Sequence, residues 1–284
     1  MEKITLAAVF YNEEEKLPGY FKNVAGVFDS IVVVDCSSTD KTAEICRKNG
    51  AKVISSSIRY FENNAAKLIG AAPDGWIFIL DADERLSPEL KKGIRAAVEG
   101  NKEGFAAFTV KRREYLFNDF AKKGRMDLSP IVRLLRKGKF HIPPEPHSTY
   151  VVGGKTGAIK GGFIRHYNLT SFGFFMRKIE RYLLDMPSEY RKAGNTGRVN
   201  LGERNRGIYS LFGKHGFRRL FLFPPVQTLN YLIRHRFIFD GTRGLVYSVG
   251  MGIYAFMEEA LWWDASEKEK TGHALDWQKE YPES

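Results

Sequence analysis

Cysteine is nearly absent: Cys36 and Cys46 are the only two in 284 residues. Neither sits in a Cys-x-x-Cys or beside a histidine cluster. That excludes a disulfide scaffold and argues against structural zinc. The usage fits a reducing compartment, so the cytoplasm is expected, with peripheral attachment to the inner face of its membrane as a variant. No Gly-x-Gly-x-x-Gly follows the first apolar run, and no Gly-x4-Gly-Lys-Ser/Thr occurs. Dinucleotide dehydrogenases and P-loop nucleotidases are therefore disfavoured. Long apolar runs are missing too. The stretch LVYSVGMGIYAFMEEALWW is cut by Glu258 and Glu259, short of the roughly 20 residues that a membrane span needs. The opening MEKITLAAVFYNEEE has only a brief apolar run stopped by charge, so it reads as a first strand and not as a signal peptide.

What is present begins with charge. Lys and Arg number 44 against 33 Asp and Glu, a net charge of +11. Such a chain attracts anions: nucleoside diphosphates, nucleic acid or an anionic membrane surface. The excess lies late, between Arg177 and Arg243, where few acids interrupt it. There FGKHGFRRLFLF alternates Phe and Leu with Lys, His and Arg, a pattern that suits an anionic bilayer surface. Hydrophobic residues make up 43% and aromatics 13%, enough for a core and against global disorder.

The first hundred residues alternate strand and helix signals. KITLAAVF (3–10), SIVVVD (30–35), AKVIS (51–55) and WIFILD (76–81) read as strands. SIVVVD is apolar throughout, as in a strand buried on both faces. Helical spacing runs over 13–28, 40–49, 62–72 and 88–99. Ser37, Ser38 or Thr39 offers an N-cap for the second helix, and Ser87-Pro88 opens the fourth. This rhythm predicts a parallel, Rossmann-like sheet. From about 105 the strands lengthen and turn mixed or antiparallel. A helix is expected over 171–192, a polar loop over 193–207, and aromatic helices beyond. The expected fold class is α/β, with a helical, aromatic-rich C-terminal extension. The expected boundaries are 1–170 for a catalytic domain and 171–284 for a helical region that contacts membrane or a second copy. Within the first, 1–100 form the nucleotide-binding half and 101–170 the acceptor side.

Open parallel sheets bind ligands at the carboxyl ends of their strands. Three polar clusters fall there: Tyr11-Asn12-Glu13, Asp35, and Asp81-Ala82-Asp83-Glu84. Two acids separated by one residue in extended chain project to the same side. Such oxygen ligands suit Mg²⁺ or Mn²⁺ bridging the phosphates of a nucleotide. A metal would also relieve the repulsion among these carboxylates.

YNEEEKLPGYF, SIVVVDCSSTDKTAEIC and WIFILDADERLSPEL, at these spacings, resemble the inverting family 2 glycosyltransferases of the GT-A fold. IVRLLRKGKF, FIRHYN, MRKIERY and FIFDGTRGL extend the likeness to the subgroup containing lipopolysaccharide core β-glycosyltransferases. The resemblance implies a mostly parallel sheet flanked by helices, a nucleotide-sugar donor with UDP-sugar foremost, and a glycan or glycolipid acceptor of the cell envelope. It implies that Tyr11, Asn12 and Glu13 line the base and ribose pocket and that Asp35 accepts a hydrogen bond from the base. Asp81 and Ala82 would border the ribose or donor sugar, and Asp83 would bind the metal. Where the family has an Arg-Asn pair this chain has Asn63-Asn64, which leaves Lys67 to supply the phosphate-facing cation. The subgroup's His-Glu pair corresponds to Glu145-Pro146-His147-Ser148, with Glu145 as catalytic base and His147 beside metal or phosphate. Glu84 and Asp127 are the alternative bases. Arg133 and Arg136 are candidates for phosphate contact, and His166 reads as a hydrogen-bonded support.

Two other classes compete. A nucleotidyltransferase acting on sugar phosphates also uses strand-end acids and Mg²⁺, but needs a basic glycine-rich loop where this chain has YNEEE. A basic nucleic-acid-binding protein would explain the charge, but no binding motif for it is present.

Overall fold

The computed structural model describes residues 2–58, 61–123, 126–143, 150–180, 183 and 217–271. The chain forms two compact units, residues 1–121 with 126–168 and residues 122–125 with 169–284.

The first unit is built on one large sheet and a separate two-stranded one. Strands β1 (Ile4–Phe10), β2 (Ser30–Asp35), β3 (Lys52–Ser55) and β4 (Trp76–Ile79) alternate with helices α1 (Leu17–Val24), α2 (Thr42–Lys48) and α3 (Phe61–Ala71). Then follow β5 (Glu84–Leu86), α4 (Pro88–Glu99), β6 (Ala107–Leu116), β7 (Asp119–Phe120), β8 (Ser129–Arg136), β9 (Phe140–His141), β10 (Val151–Val152), β11 (Thr156–Ala158) and β12 (Ile164–Leu169). The main path runs β3-β2-β1-β4-β8-β6-β12-β5. Neighbours from β3 to β4 are parallel. β8 pairs antiparallel with β4 and with β6, and β12 pairs antiparallel with β5. β9 and β10 form the separate two-stranded sheet. The change of style expected near residue 105 is thus a change from parallel to antiparallel pairing.

The apolar patterning explains the layers. β1 and β4 are buried along nearly their whole length, because both faces of the parallel half are covered. On one face Phe10, Tyr20, Phe21, Trp76, Phe78 and Leu90 form the larger cluster; on the other Val32, Val34, Leu68, Ile77 and Ile79 form a smaller one. Helix α4 starts as its residues dictate, with Ser87 accepting a hydrogen bond from Leu90 N and Pro88 in the first turn. The Ser87 hydroxyl also accepts from Phe163 N. There Gly162 has φ +72, and a Cβ would lie 2.2 Å from Leu90 N; only glycine fits.

Three local expectations change. The helix expected over 13–28 runs Leu17–Val24. The strand expected over 76–81 ends at Ile79, so that Asp81 and Asp83 lie in a turn and not in extended chain. Helix α2 is not capped by Ser37, Ser38 or Thr39; Asp40 Oδ1 accepts from Thr42 N at 2.9 Å. The three hydroxyl residues serve neighbouring loops instead.

In the second unit, residues 172–180 are helical, as are Phe217–Leu229 and Gly241–Thr271. A π-helical turn (Asn230–Arg234) and a 3₁₀ turn (Phe237–Asp240) join the latter two. These run antiparallel: Arg219 pairs with Glu259, Phe223 packs with Ala255, and Gly252 closes on Pro224 and Thr228. The expected polar loop at 193–207 lies outside the described residues. Among the described residues no helix is long and apolar enough to cross a membrane. Arg219 does not face outward as the FGKHGFRRLFLF pattern suggests. It is buried, 2.6 Å from Glu259.

Candidate active site

In the order β2-β1-β4 the chain winds outward in one direction up to β3 and then returns to the other side of β1. Ligands of open α/β sheets bind at such a reversal, beyond the carboxyl ends of the strands. The ends of β1 and β4 flank it here, and Asp35 closes β2 opposite Phe10.

The loop after β1 is tied to the loop after β2. Asn12 N donates to Ser38 Oγ at 3.0 Å, and Asn12 Oδ1 accepts from Thr39 N at 2.8 Å. Glu13 N donates to Thr42 Oγ1 at 2.7 Å. Asn12 and Ser37 both hold left-handed backbone, φ 53 and 57, a conformation non-glycine residues adopt at a cost and often at functional sites. Tyr11 packs, partly buried, against the smaller core cluster. Burial raises the Glu13 carboxyl pKa against the opposing pull of Lys16, and Asp83 and Asp40 add like-charge repulsion.

Asp35 is 5% exposed. Its Oδ2 accepts from Ser38 N at 3.3 Å, and its buried Oδ1 has no hydrogen-bond partner among the described residues. Leaving a buried carboxylate oxygen unpaired costs about 1–3 kcal/mol, so a donor placed here would be favoured. Beside it, Ser56 N donates to Asp35 O, and Lys67 Nζ reaches Ser56 Oγ at 3.0 Å. Asn64 is buried and donates its amide to Ile58 O at 2.7 Å, bracing the same corner.

The acids after β4 belong to a ring of alternating charge. Arg133 Nη2 donates to Asp81 Oδ2 at 2.9 Å and to Glu84 Oε1 at 2.8 Å. Glu84 Oε2 accepts from Asp81 N at 3.1 Å. Arg112 Nη1 lies 3.5 Å from Glu84 and its Nε 2.7 Å from Glu114. Glu114 meets His166 Nδ1, and His166 Nε2 lies 3.4 Å from Asp83 Oδ2. Burial opposes charge on His166, but its bonds to Asp83 and Glu114 outweigh it and hold the imidazole pKa up at about 9. Burial pushes the Glu84 carboxyl upward, against Arg133. Among the described residues Arg112, Arg133 and His166 answer the carboxylates of Asp81, Asp83, Glu84 and Glu114, which eases the repulsion among the acids.

The two outer acids remain open: the Asp81 side chain is 46% exposed and that of Asp83 30%. Ala82 is buried between them. Arg85 fastens this turn to the first loop, donating to Ala82 O, Glu84 O and Lys16 O. Sequence reading left Arg85, Arg112 and Glu114 unassigned; only the register of β5, β6 and β12 brings them here. Arg136 does not join the site. It pairs with Glu2 beside the amino-terminal ends of β1 and β4, opposite the strand ends that carry the acids. Asp127 is held by Arg113 at 2.7 Å and Glu84 is fully buried behind Arg133. Glu145 and His147 lie outside the described residues. Tyr150, two residues after Ser148, is hydrogen-bonded to Arg133.

Removing Arg133 should be costly, because Glu84 would stay buried without its partner. Arg133→Met should lower the unfolding free energy by roughly 3 kcal/mol or more. Combining it with Glu84→Leu should restore part of that. Urea denaturation checks both; a loss under about 1 kcal/mol, the value of a surface pair, would remove the ring from the stability of the site.

Among the described residues no three or more His, Cys, Asp or Glu converge as a metal cage. Asp81 and Asp83 still fit a hard divalent cation, since Mg²⁺-type sites use one or two carboxylates and take other ligands from substrate phosphates.

The description "Glycosyl transferase family 2" matches residues 5–180. The chain is 26% identical over 205 residues to an uncharacterized glycosyltransferase of Rickettsia typhi, 68% of this chain and 70% of that one. It is 24% identical over 237 residues to the lipopolysaccharide core biosynthesis glycosyltransferase LpsC of Rhizobium meliloti, 81% of each. Other relatives align over less: a Rickettsia felis glycosyltransferase is 31% identical over 112 residues, 40% of its length. Among solved structures, S. aureus TarS is similar over 96% of this chain and 93% of that one, at 13% identity and TM-score 0.46.

Proposed function

This chain belongs to glycosyl transferase family 2, and on that premise we propose that it moves a sugar, with inversion, from a nucleoside-diphosphate donor to a lipid-linked or cell-envelope glycan. UDP-sugar is the foremost donor. The observation that carries the reading is the set of three polar clusters at the carboxyl ends of β1, β2 and β4, around the reversal in strand order.

Asp35 Oδ1 accepts an N–H from the base. Tyr11, Asn12 and Glu13 border base and ribose, on a loop whose strained backbone is fixed by Ser38, Thr39 and Thr42. Lys67, on the Asp35 side, takes the phosphate-facing role of the absent arginine, while Asn64 supports the corner. Asp81 and Ala82 border the donor sugar. Asp83, with Asp81 and in this reading His147, would hold Mg²⁺ or Mn²⁺, which when bound would supply neutralisation of the charge on a departing diphosphate. Arg133 and His166 hold Asp81 and Asp83 in place on a turn closed by Glu84 N donating to Asp81 O, so little rearrangement accompanies binding. Glu145 takes the proton of the acceptor hydroxyl as that oxygen attacks the anomeric carbon. The LpsC relative supports an envelope acceptor at the level of likeness.

Asp35→Ala should weaken binding of the free nucleoside diphosphate about 10- to 100-fold, the worth of a hydrogen bond to a charged group. Calorimetric titration measures it. Unchanged diphosphate affinity would move the base pocket elsewhere.

A further inference from the structure

The helical unit exposes apolar side chains in rows. In Gly241–Thr271, Leu245, Val249, Ile253 and Phe256 follow spacings of four, four and three residues, and all are 41–47% exposed. That is one helical face. Leu222, Leu229, Ile233, Ile238 and Phe239 are more exposed still, at 53–62%. Soluble surfaces scatter such residues singly; rows of them mark an interaction surface.

Charge narrows the occupant. Between residues 217 and 263 the chain has three acids, Asp240, Glu258 and Glu259, and all are buried. Asp240 accepts from Lys122 N, and Glu259 pairs with Arg219. Arg234 and Arg236 are exposed, between Ile233 and the Ile238–Phe239 pair. The three carboxylates of this stretch are turned inward, while the apolar rows and the Arg234 and Arg236 guanidinium groups face out. The nearest exposed acid on these helices, Asp264, lies two turns beyond Phe256, so a second copy would set arginine against arginine across these rows. An anionic bilayer offers what this surface lacks: negative headgroups over an apolar interior.

We propose that the helical unit docks on the surface of a membrane rich in anionic phospholipid, lying on it through Leu222–Ile233, Ile238–Phe239 and the Leu245–Phe256 row. Ile238 and Phe239 insert at the acyl boundary and Arg234 and Arg236 meet headgroup phosphates. The helices do not span the bilayer. This inference rests on the unit's own surface and stands whether or not the transfer reading does.

The experiment is flotation of the full chain with vesicles of phosphatidylcholine containing phosphatidylglycerol, against phosphatidylcholine alone, at low and high salt. Light scattering gives the oligomeric state in parallel. The wild type should float with the mixed vesicles, less so at high salt. Each arginine near an anionic surface contributes about 1 kcal/mol, a factor of about five, so R234E/R236E should weaken partitioning roughly 25-fold or more. I238Q/F239Q should reduce it at both salt levels. These side chains are exposed, so thermal melts and donor hydrolysis should match the wild type, which separates this test from those of the active site. A wild type that stays with the soluble fraction would overturn the proposal, as would variants that float equally. A dimer that I253Q converts to monomer would also overturn it and assign the face to a second copy.

Discussion

Asp83→Asn should leave the protein folded and sugar transfer undetectable. Asn keeps the size of the side chain and its oxygen toward His166, but not the negative charge. The Asp83–His166 pair is partly exposed, so its loss should shift the melting temperature by a few degrees at most, within about 1 kcal/mol. Binding is another matter. Asp83 lies 3.4 Å from His166 and its side chain stays 30% exposed, so its carboxylate can meet an external cation as well. With the charge gone, the diphosphate meets Asp81 and Glu13 without a bridging ion, and nucleotide-sugar affinity in Mn²⁺ should drop along with turnover. A transfer assay and a calorimetric titration on one preparation measure both. Full activity in the variant, or wild-type activity undiminished by EDTA, would exclude a metal-assisted mechanism.

Glu145→Gln should behave in a contrasting way. Glutamine preserves shape and cannot take a proton at neutral pH. Turnover should fall by roughly 10²–10⁴, the usual contribution of a general base. Donor affinity should hold, because the lost interaction operates in the transition state. His147→Ala should lower affinity and turnover together if it assists metal or phosphate. Glu84, buried under Arg133, and Asp127, paired with Arg113, are the alternatives that the same measurement distinguishes. A turnover-only effect at His147 with little change at Glu145 would transfer the base role to the histidine.

The parallel half of the fold was legible because its strands are continuous apolar runs and its helices carry clear periodicity; SIVVVD and PELKKGIRAAVE became β2 and α4 with little change at their ends. Strand-end acids were legible for the same reason, since a run such as WIFIL sets where the next residues emerge. The charge ring was not. Arg112 and Glu114 lie in AAFTVKRREYLF, a strand whose partners and register no local pattern specifies, and β5 is three residues long. Antiparallel pairing of β12 with β5 sets His166 opposite Glu84, a contact between residues 82 positions apart. Arg136 shows the opposite failure. Three residues from Arg133 on one strand, it reads as the same kind of residue, yet the pairing with β6 shifts register at Arg133 and β8 carries Arg136 opposite Trp76 at the start of β4, away from the strands' carboxyl ends.

The most direct test of the nucleotide site is calorimetric titration of the wild-type protein with UDP, GDP, CDP and dTDP, each in Mn²⁺ and again in EDTA. The arrangement of Asp35, Asp81 and Asp83 predicts saturable one-site binding of at least one of them in Mn²⁺, with UDP foremost, and its loss in EDTA. Binding of none of the four, or equal affinity with and without the metal, would contradict it.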